Sequence, residues 1–274
     1  MRANKGSAKY NDITFIFTWY GQYNHLFAHL NKFKERSEKY KIPLNVICIN
    51  DGHPESFFTD AISQYDEHFN LTGIQITKDF GFNSHGCRNL GVQYAKTDWV
   101  LLHDADCHFS DELFEDIMTK ELDQNKFYPF LVSLENNEQT DEEAGYEIVD
   151  PKKLYKVRCH PNTHLMTRKC FWSTGGYDQE FQRVRHGDSE FFLGIGRPED
   201  NYDHELLSEN VMNVTTPLRR ADYIFQDPEV RHNFKQTVQH VRDRNEDPYR
   251  KYRKMLYNFE WEIVNGKPKL INSK

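Results

Sequence analysis

The stretch WVLLHDADCHFS, Trp99–Ser110, decides how the rest of the chain is read. Four apolar residues run into His103, Asp104 and, one residue further, Asp106. A short uninterrupted apolar run of this kind reads as a strand buried on both faces of a sheet. Carboxylates at the end of such a strand cost free energy unless something pairs with them. In extended backbone, residues i and i+2 face the same side. Asp104 and Asp106 are therefore expected to share one cation, or to divide a metal and a sugar ring or ribose between them. Hard oxygen ligands suit Mg²⁺ or Mn²⁺, which bridge phosphate oxygens. The bare Asp-x-Asp pattern equally fits two exposed acids in a turn; its place after WVLLH favours the metal.

Working outward, the first half alternates strand and helix patterns. ITFIFTWY (13–20) is β-branched and aromatic, and the segment after it carries Leu26, His29, Leu30 and Phe33 at helical spacing. LNVICIN (44–50) reads as a strand, PESFFTDAISQYDEHF (54–69) as a helix opened by proline, GIQIT (73–77) as a strand and SHGCRNLGVQYA (84–95) as a helix. This alternation predicts a mostly parallel sheet flanked by helices, an α/β fold. Ligands then bind at the carboxyl ends of the strands. Thr18, Trp19 and Tyr20 close the first strand there, and Asn50, Asp51 and Gly52 close the second. Asp51 is placed to accept a hydrogen bond from a base or ribose. Arg88, in GFNSHGCRNLG, is placed to reach a diphosphate, aided by the anion-favouring helix N-terminus. Taken singly, each of these is an ordinary turn.

The second half is less regular. PFLVSLE (129–135) reads as a strand, 136–162 as a polar loop, and HLMTRKCFWSTGGYD (164–178) as strand, short helix and Gly-Gly turn. A helix should start at or just after Asp188. Two amphipathic helical patterns beyond Asp227 predict a helical C-terminal extension, 228–274, packed on a domain formed by 1–227.

Composition narrows the class. The chain of 274 residues suits one large α/β domain. Mean hydropathy is −0.83, yet 20 Phe and 15 Tyr supply core material. No apolar run reaches the roughly 20 residues that span a bilayer. MRANKGSAKYND lacks the apolar stretch of a secretory signal, so a soluble, cytoplasmic protein without a transmembrane anchor is expected. Five irregularly spaced cysteines make a poor disulfide framework. A zinc site from Cys159, His160, His164 and Cys170 lacks the tight paired spacing of structural sites. Charge is uneven: residues 111–150 hold 13 Asp/Glu against two Lys, while 217–274 hold 13 Lys/Arg against eight acids. Both runs read first as solvated faces. The basic region could also meet phosphates. Phe171, Trp172 and Trp19 are candidates to stack on a sugar or base, although aromatic residues more often belong to a core.

The order TFIFTWY, NVICINDG, GFNSHGCRNLGVQYAKTDWVLLHDAD and STGGYDQEF…HGDSEFFLGI resembles the GT-A glycosyltransferases, those similar to glycosyltransferase family 2 above all, over about residues 12–196. The resemblance implies a GT-A, Rossmann-like fold, a nucleoside diphosphate sugar donor, UDP-linked by preference, and a divalent metal. It implies that Thr18 and Tyr20 flank the nucleotide, Asp51 contacts the base, Arg88 approaches the phosphates, Asp104 faces ribose or metal, and Asp106 is the main metal ligand. Inverting members use an Asp preceded by Glu as general base; here the pair is Gly187-Asp188, so the aspartate is kept and the glutamate is missing. Glu190 is the substitute base if Asp188 only caps a helix. A distant histidine completes the metal shell of some members. His232 fits that role in order, with His204 and His103 as rivals.

The reading is thus a metal-dependent glycosyltransferase (a hexosyl- or pentosyltransferase) acting on an acceptor hydroxyl of a glycan or protein. A hydroxylated base in DNA is an alternative acceptor, raised by the basic, aromatic-interleaved RHNFKQTVQHVRDRN and YRKYRKMLY. A nucleotide-sugar-binding module without catalysis is an alternative of another class. A nucleotidyltransferase is disfavoured because TWYGQYNH lacks a glycine-rich basic loop.

Overall fold

The computed structural model describes residues 10–21, 23–54, 57–81, 83–133, 158–178, 188, 191, 202–210, 212–214, 257 and 259–264. The elements run β1 (Ile13–Trp19), α1 (Tyr23–Tyr40), β2 (Asn45–Asn50), α2 (Phe57–Tyr65), β3 (Asn70–Ile76), α3 (Ser84–Tyr94) and β4 (Trp99–Asp104). They continue with β5 (Cys107–His108), α4 (Asp111–Thr119), β6 (Lys126–Ser133), β7 (Arg158–Thr167), α5 (Arg168–Ser173), β8 (Asp203–His204), β9 (Met212–Val214) and β10 (Trp261–Ile263). One sheet orders them β10-β3-β2-β1-β4-β7-β6-β9-β5, with β8 beside β6. The block β3-β2-β1-β4 is parallel, as the strand–helix alternation predicts. On either side the sheet turns antiparallel, at β10/β3 and at β4/β7/β6.

Alternation along the strands divides the core in two. From β1, Phe15, Phe17 and Trp19 enter the cluster shared with Leu26, Leu30 and Phe33 of α1 and Phe58 of α2. Ile16, between them, enters the other cluster with Leu90 of α3, Leu102 and Phe171. Residues two apart share a face of a pleated strand, so a helix layer covers each side. The i, i+3, i+4, i+7 spacing of Leu26, His29, Leu30 and Phe33 is the buried stripe of α1.

Three elements depart from the expectations. The acidic run does not begin as a mere solvated face: Asp111–Thr119 is a helix capped by Ser110, whose Oγ accepts from Leu113 N at 3.1 Å, and it buries Leu113, Phe114, Ile117 and Met118. Its acids occupy the outer face and its first turn, where they favour the helix dipole. Strand β7 starts at Arg158, inside the expected loop. Trp261–Ile263, expected as helix, is a strand on the edge of β3. There, pairing with an open sheet edge outweighs a weak local preference. The helical patterns expected between 228 and 256 lie outside the described residues. Among the described residues no helix is long and apolar enough to cross a membrane.

Register fixes the functional edge. Thr18 stands opposite Asp104, and Trp19 opposite Asn50, so the carboxyl ends of β1, β2 and β4 finish together. Helix α3 lies close against this edge because Gly91 has no side chain: a Cβ there would fall 2.4 Å from Ile16 Cγ2. Gly91→Ala should therefore overpack the helix–sheet contact and cost about 1–3 kcal/mol, read as a lowered thermal midpoint. An unchanged midpoint would show that α3 can back away freely.

Candidate functional site

Strand β4 carries its side chains alternately to the two cores, and this decides where its polar end points. Leu101 and His103 face the α1 side, where His103 is fully buried and stacks on Phe17 at 5.2 Å. Burial drives its imidazole down to about 3, so it is neutral and part of the core. His103 is thereby removed as a candidate metal ligand. Val100, Leu102 and then Asp104 face the α3 side.

There Asp104 meets Arg88. The guanidinium Nη2 donates to Asp104 Oδ1, Nη1 donates to Ser84 Oγ at 3.2 Å, and Nη1 lies 3.6 Å from Asp188 Oδ1. Arg88 is only 2% exposed and rests over the Tyr177 ring. Inside the fold Arg88 is held between two carboxylates, while its Nε–H has no hydrogen-bond partner. Asp104 Oδ2 accepts from Asn162 Nδ2 at 2.9 Å, with His160 Nε2 at 4.0 Å. Burial would raise the Asp104 carboxyl, but Arg88, His160 and Asn162 outweigh it and hold it below the ordinary range. Asp188, in helical backbone as expected, accepts from His85 Nε2 at 3.1 Å. Burial opposes its charge too, yet the His85 bond and Arg88 bring its carboxyl down to about 2.

Asp106 does not continue the strand. Ala105 and Asp106 form a turn, tied to α1 by His29 Nε2 donating to Ala105 O at 2.8 Å, before β5 begins. The same-face argument from strand pleat therefore fails for this pair. The two acids are still electrostatically coupled: burial first, and then the Asp104 charge, raise the Asp106 carboxyl.

At the other end of the edge, Asp51 is 4% exposed and already engaged. Its Oδ2 accepts from Asn83 N–H at 2.7 Å, and its Oδ1 from the Cys87 thiol at 3.3 Å. Gly52 makes the turn at φ +82, where a Cβ would come within 2.5 Å of Lys78 O. Tyr20, exposed, donates its hydroxyl to Asp79 Oδ2 at 2.9 Å and bridges the loops after β1 and β3. Thr18 is half-buried near the end of β1, between Ile49 of β2 and Asp104 of β4. Trp19 is corrected: 1% exposed, it stacks on Phe58 in the core and presents no ring to a donor. Phe171 is likewise core, while Trp172 is half-buried beside it.

Glu190 and His232 lie outside the described residues. His204 is exposed on β8, against Phe127. The cysteine near His160 is Cys107, at 3.5 Å, while Cys170 packs in the core around Phe171. Among the described residues no three His, Cys, Asp or Glu gather as a metal group. A divalent cation nonetheless fits Asp106 with Asp104. The donors are hard oxygens, and their mutual repulsion is what a cation relieves.

His85 and Asn162 carried no signal that sequence reasoning used, and His160 was raised there only for a zinc site; all three reach the carboxylates through the fold. Asn89 is the residue that joins two motifs: its Nδ2 donates to Tyr177 O and its Oδ1 accepts from Tyr177 N, both at 2.8 Å. The Arg-Asn pair of α3 thus clasps the Gly-Gly-Tyr turn that leads towards Asp188.

A mixed sheet with a parallel block, helices on both faces and two acids at its carboxyl edge, one of them locked to a buried arginine, defines an α/β protein of the GT-A kind. The model for the family described as glycosyltransferase like family 2 matches residues 29–211, and the chain belongs to that family. An uncharacterized glycosyltransferase of Synechocystis sp. is 26% identical over 155 residues, which cover 53% of this chain and 46% of that protein. Among solved structures, the mannosyltransferase PcManGT from Pyrobaculum calidifontis, in complex with GDP-Man and Mn²⁺, is similar at a TM-score of 0.56 and 16% identity, over 83% of this chain and 64% of that one. GalNAc-T7 with UDP, GalNAc and Mn²⁺ is similar at 0.55 and 14% identity, over 76% of this chain and 44% of that one. The likeness to these two enzymes is one of fold. The chain spans about half the length of the curated relative it matches.

Asp51 provides a pH test of this geometry. Burial, partly offset by Asn83, Cys87 and Arg88, pushes its carboxyl up from 3.8 to about 6. A raised folded value means the folded state holds the proton more tightly. The resulting stability is complete below about pH 3.8 and is lost as pH rises through about 6. Between pH 5 and pH 7.5, chemical denaturation should show wild type losing on the order of 1 kcal/mol that Asp51→Asn does not lose. Equal losses in the two proteins would place Asp51 in contact with water.

Proposed function

We propose that this chain transfers a sugar from a nucleoside diphosphate sugar to an acceptor hydroxyl, with inversion at the anomeric carbon and with Asp188 as general base. One observation carries the reading. The buried Arg88 guanidinium sets the first acid of the Asp-x-Asp pair and the acid of the Gly-Asp pair on opposite flanks of one cation. Asp106, with Asp104, is the residue that would hold Mn²⁺ or Mg²⁺. When bound, that ion supplies positive charge to the departing diphosphate. Its support comes from the donor set and from the two similar enzymes solved with Mn²⁺. Those two carry different nucleotides, GDP in one and UDP in the other. UDP is the first choice here on the pattern of the sequence motifs.

The protein's own residues have distinct tasks in this scheme. Asp188 stays ionised far below neutral pH, so it is always able to accept a proton. A carboxylate this acidic is a weak base towards a free hydroxyl. It becomes effective as the acceptor oxygen bonds to the anomeric carbon and its own proton turns strongly acidic. The C–O bond to the diphosphate breaks as that bond forms, and the acceptor's proton passes to Asp188. His85 hydrogen-bonds Oδ1 of the carboxylate, Arg88 pairs with the same oxygen by charge, and together they fix its direction. Tyr20, Thr18 and Asp51 line the nucleotide end, and Asn162 keeps Asp104 in one rotamer. The acceptor is a glycan or protein hydroxyl in this reading. The basic segment that raised a DNA acceptor lies outside the described residues.

Two variants separate the roles. With Mn²⁺ and UDP-sugars, Asp106→Ala should lose both metal-dependent nucleotide binding, measured calorimetrically, and release of UDP. Asp188→Asn should bind the nucleotide as wild type does and lose turnover by roughly a hundredfold or more. Near-normal turnover in Asp188→Asn would remove it as the base. Mn²⁺-dependent binding that survives in Asp106→Ala would remove the metal assignment.

A further inference from the structure

Helix α1 buries an apolar stripe of Leu26, Leu30 and Phe33, and sets one imidazole and one guanidinium among them, His29 and Arg36. Both are buried. Such groups in a core cost free energy unless they are hydrogen-bonded. Both are bonded, and to one short segment. His29 Nε2 donates to Ala105 O at 2.8 Å, and Arg36 Nη2 donates to Phe109 O at 2.6 Å. Residues seven apart lie two turns along one helix face. Helix α1 therefore holds the main chain on both sides of Asp106, Cys107 and His108. The His29 ring frames the same turn: it lies 4.9 Å from His103, before it, and stacks on His108, after it, at 4.6 Å and 12°. Burial pushes the His29 imidazole well below its ordinary value, so it is neutral and carries one ring N–H. That proton is on Nε2, because a carbonyl oxygen only accepts.

Asp106 has need of such a hold. The register of β1 with β4 ends at Thr18 opposite Asp104, and Asp106 lies in the turn beyond it. Burial and the Asp104 charge both work against its carboxylate. A loose turn would relieve that repulsion by carrying the second acid away from the first. The cation would then have to order the turn as it bound, and ordering costs affinity. Hydrogen bonds anchored in the α1 core remove that cost, because the turn is fixed before any cation arrives.

We propose that His29 is a positioning residue for Asp106: by holding Ala105 O from the core, it keeps the second acid of the pair in place to take a divalent cation. This rests on the metal assignment made above. The test is calorimetry of Mn²⁺, alone and with UDP present, on the full chain. Wild type is compared with His29→Phe, which keeps a planar ring and deletes the donor, and with His29→Gln, whose amide returns an N–H. Hydrogen–deuterium exchange on the metal-free proteins reads residues 105–110 against β1 and β2. His29→Phe should bind Mn²⁺ roughly ten- to a hundredfold weaker than wild type, and should exchange faster at 105–110 while β1 and β2 keep their protection. His29→Gln should recover most of the affinity. Unchanged Mn²⁺ affinity in His29→Phe overturns the assignment and leaves the metal reading intact. So does a His29→Gln that binds no better than His29→Phe, since ring packing and not the donor would then be what matters. If His29→Phe fails to fold, or exchanges faster throughout the sheet, His29 is a core residue only and the assignment falls. Wild type that binds Mn²⁺ under neither condition overturns the metal reading and this assignment with it.

Discussion

The arrangement at the carboxyl edge of the sheet depends on one buried cation. Arg88 is taken out of water from the second turn of α3, and burial works against its charge; Asp104 foremost, with Tyr177 and Asp188, more than restores it, so its proton is held above the usual guanidinium range. Without that cation, two acids would face each other in a low-dielectric site. Breaking such a pair by removing one partner typically costs about 3–5 kcal/mol, because an unpaired charge stays behind. A lysine could not substitute: one ammonium cannot supply the separate Nη1 and Nη2 bonds that reach Ser84, Asp104 and Asp188. The arginine therefore acts as a structural tie between Asp104 and Asp188.

Everything around Arg88 serves to keep that tie in register. Gly91 lets α3 lie close on β1, Asn89 clasps the backbone of Tyr177, and Cys87 and Asn83 hold Asp51 from the same helix. A single helix thus organises three separate parts of the edge: Asp51, Asp104 and the Gly-Gly-Tyr turn. The antiparallel strand β7 adds the fourth, bringing His160 and Asn162 to Asp104 from the antiparallel half of the sheet. The opposite face of β4 is sealed by a neutral histidine layer, His29 and His103, whose charged forms burial disfavours. His29 also anchors the turn that carries Asp106. The flexibility of that turn is limited from the core side, which leaves Asp106 defined even though it stands off the strand.

The parallel block and its two core faces were legible because periodicity is a local property. Apolar alternation in ITFIFTW, helical spacing in α1 and the continuous run of WVLLH each record which side of an element is dry. The family resemblance, carried by Arg-Asn-x-Gly and Gly-Gly-Tyr-Asp, was legible for the same reason. The short strands β5, β8 and β9 were not, because two or three residues carry no period. Helix α4 was hidden by its charge: a strongly acidic outer face masked four buried apolar residues. Strand β10 was hidden because a three-residue pairing with β3, 185 residues away at Trp261–Ile76, decides it.

At the site, the sequence by itself singled out a set that the fold brings together: Asp51, Arg88, Asp104, Asp106 and Asp188 all lie on or beside one sheet edge, as strand ends and a helix start must. It could not determine what each side chain faces. Strand pleat turns Trp19 and His103 into one core and Asp104 towards α3; packing spends Arg88 on carboxylates; and partners from β7 and α3 set the ionisation of the acids. Residue type and spacing are written in the chain, but the direction of a side chain and its charge depend on neighbours distant in sequence, and only the assembled sheet and helices supply them.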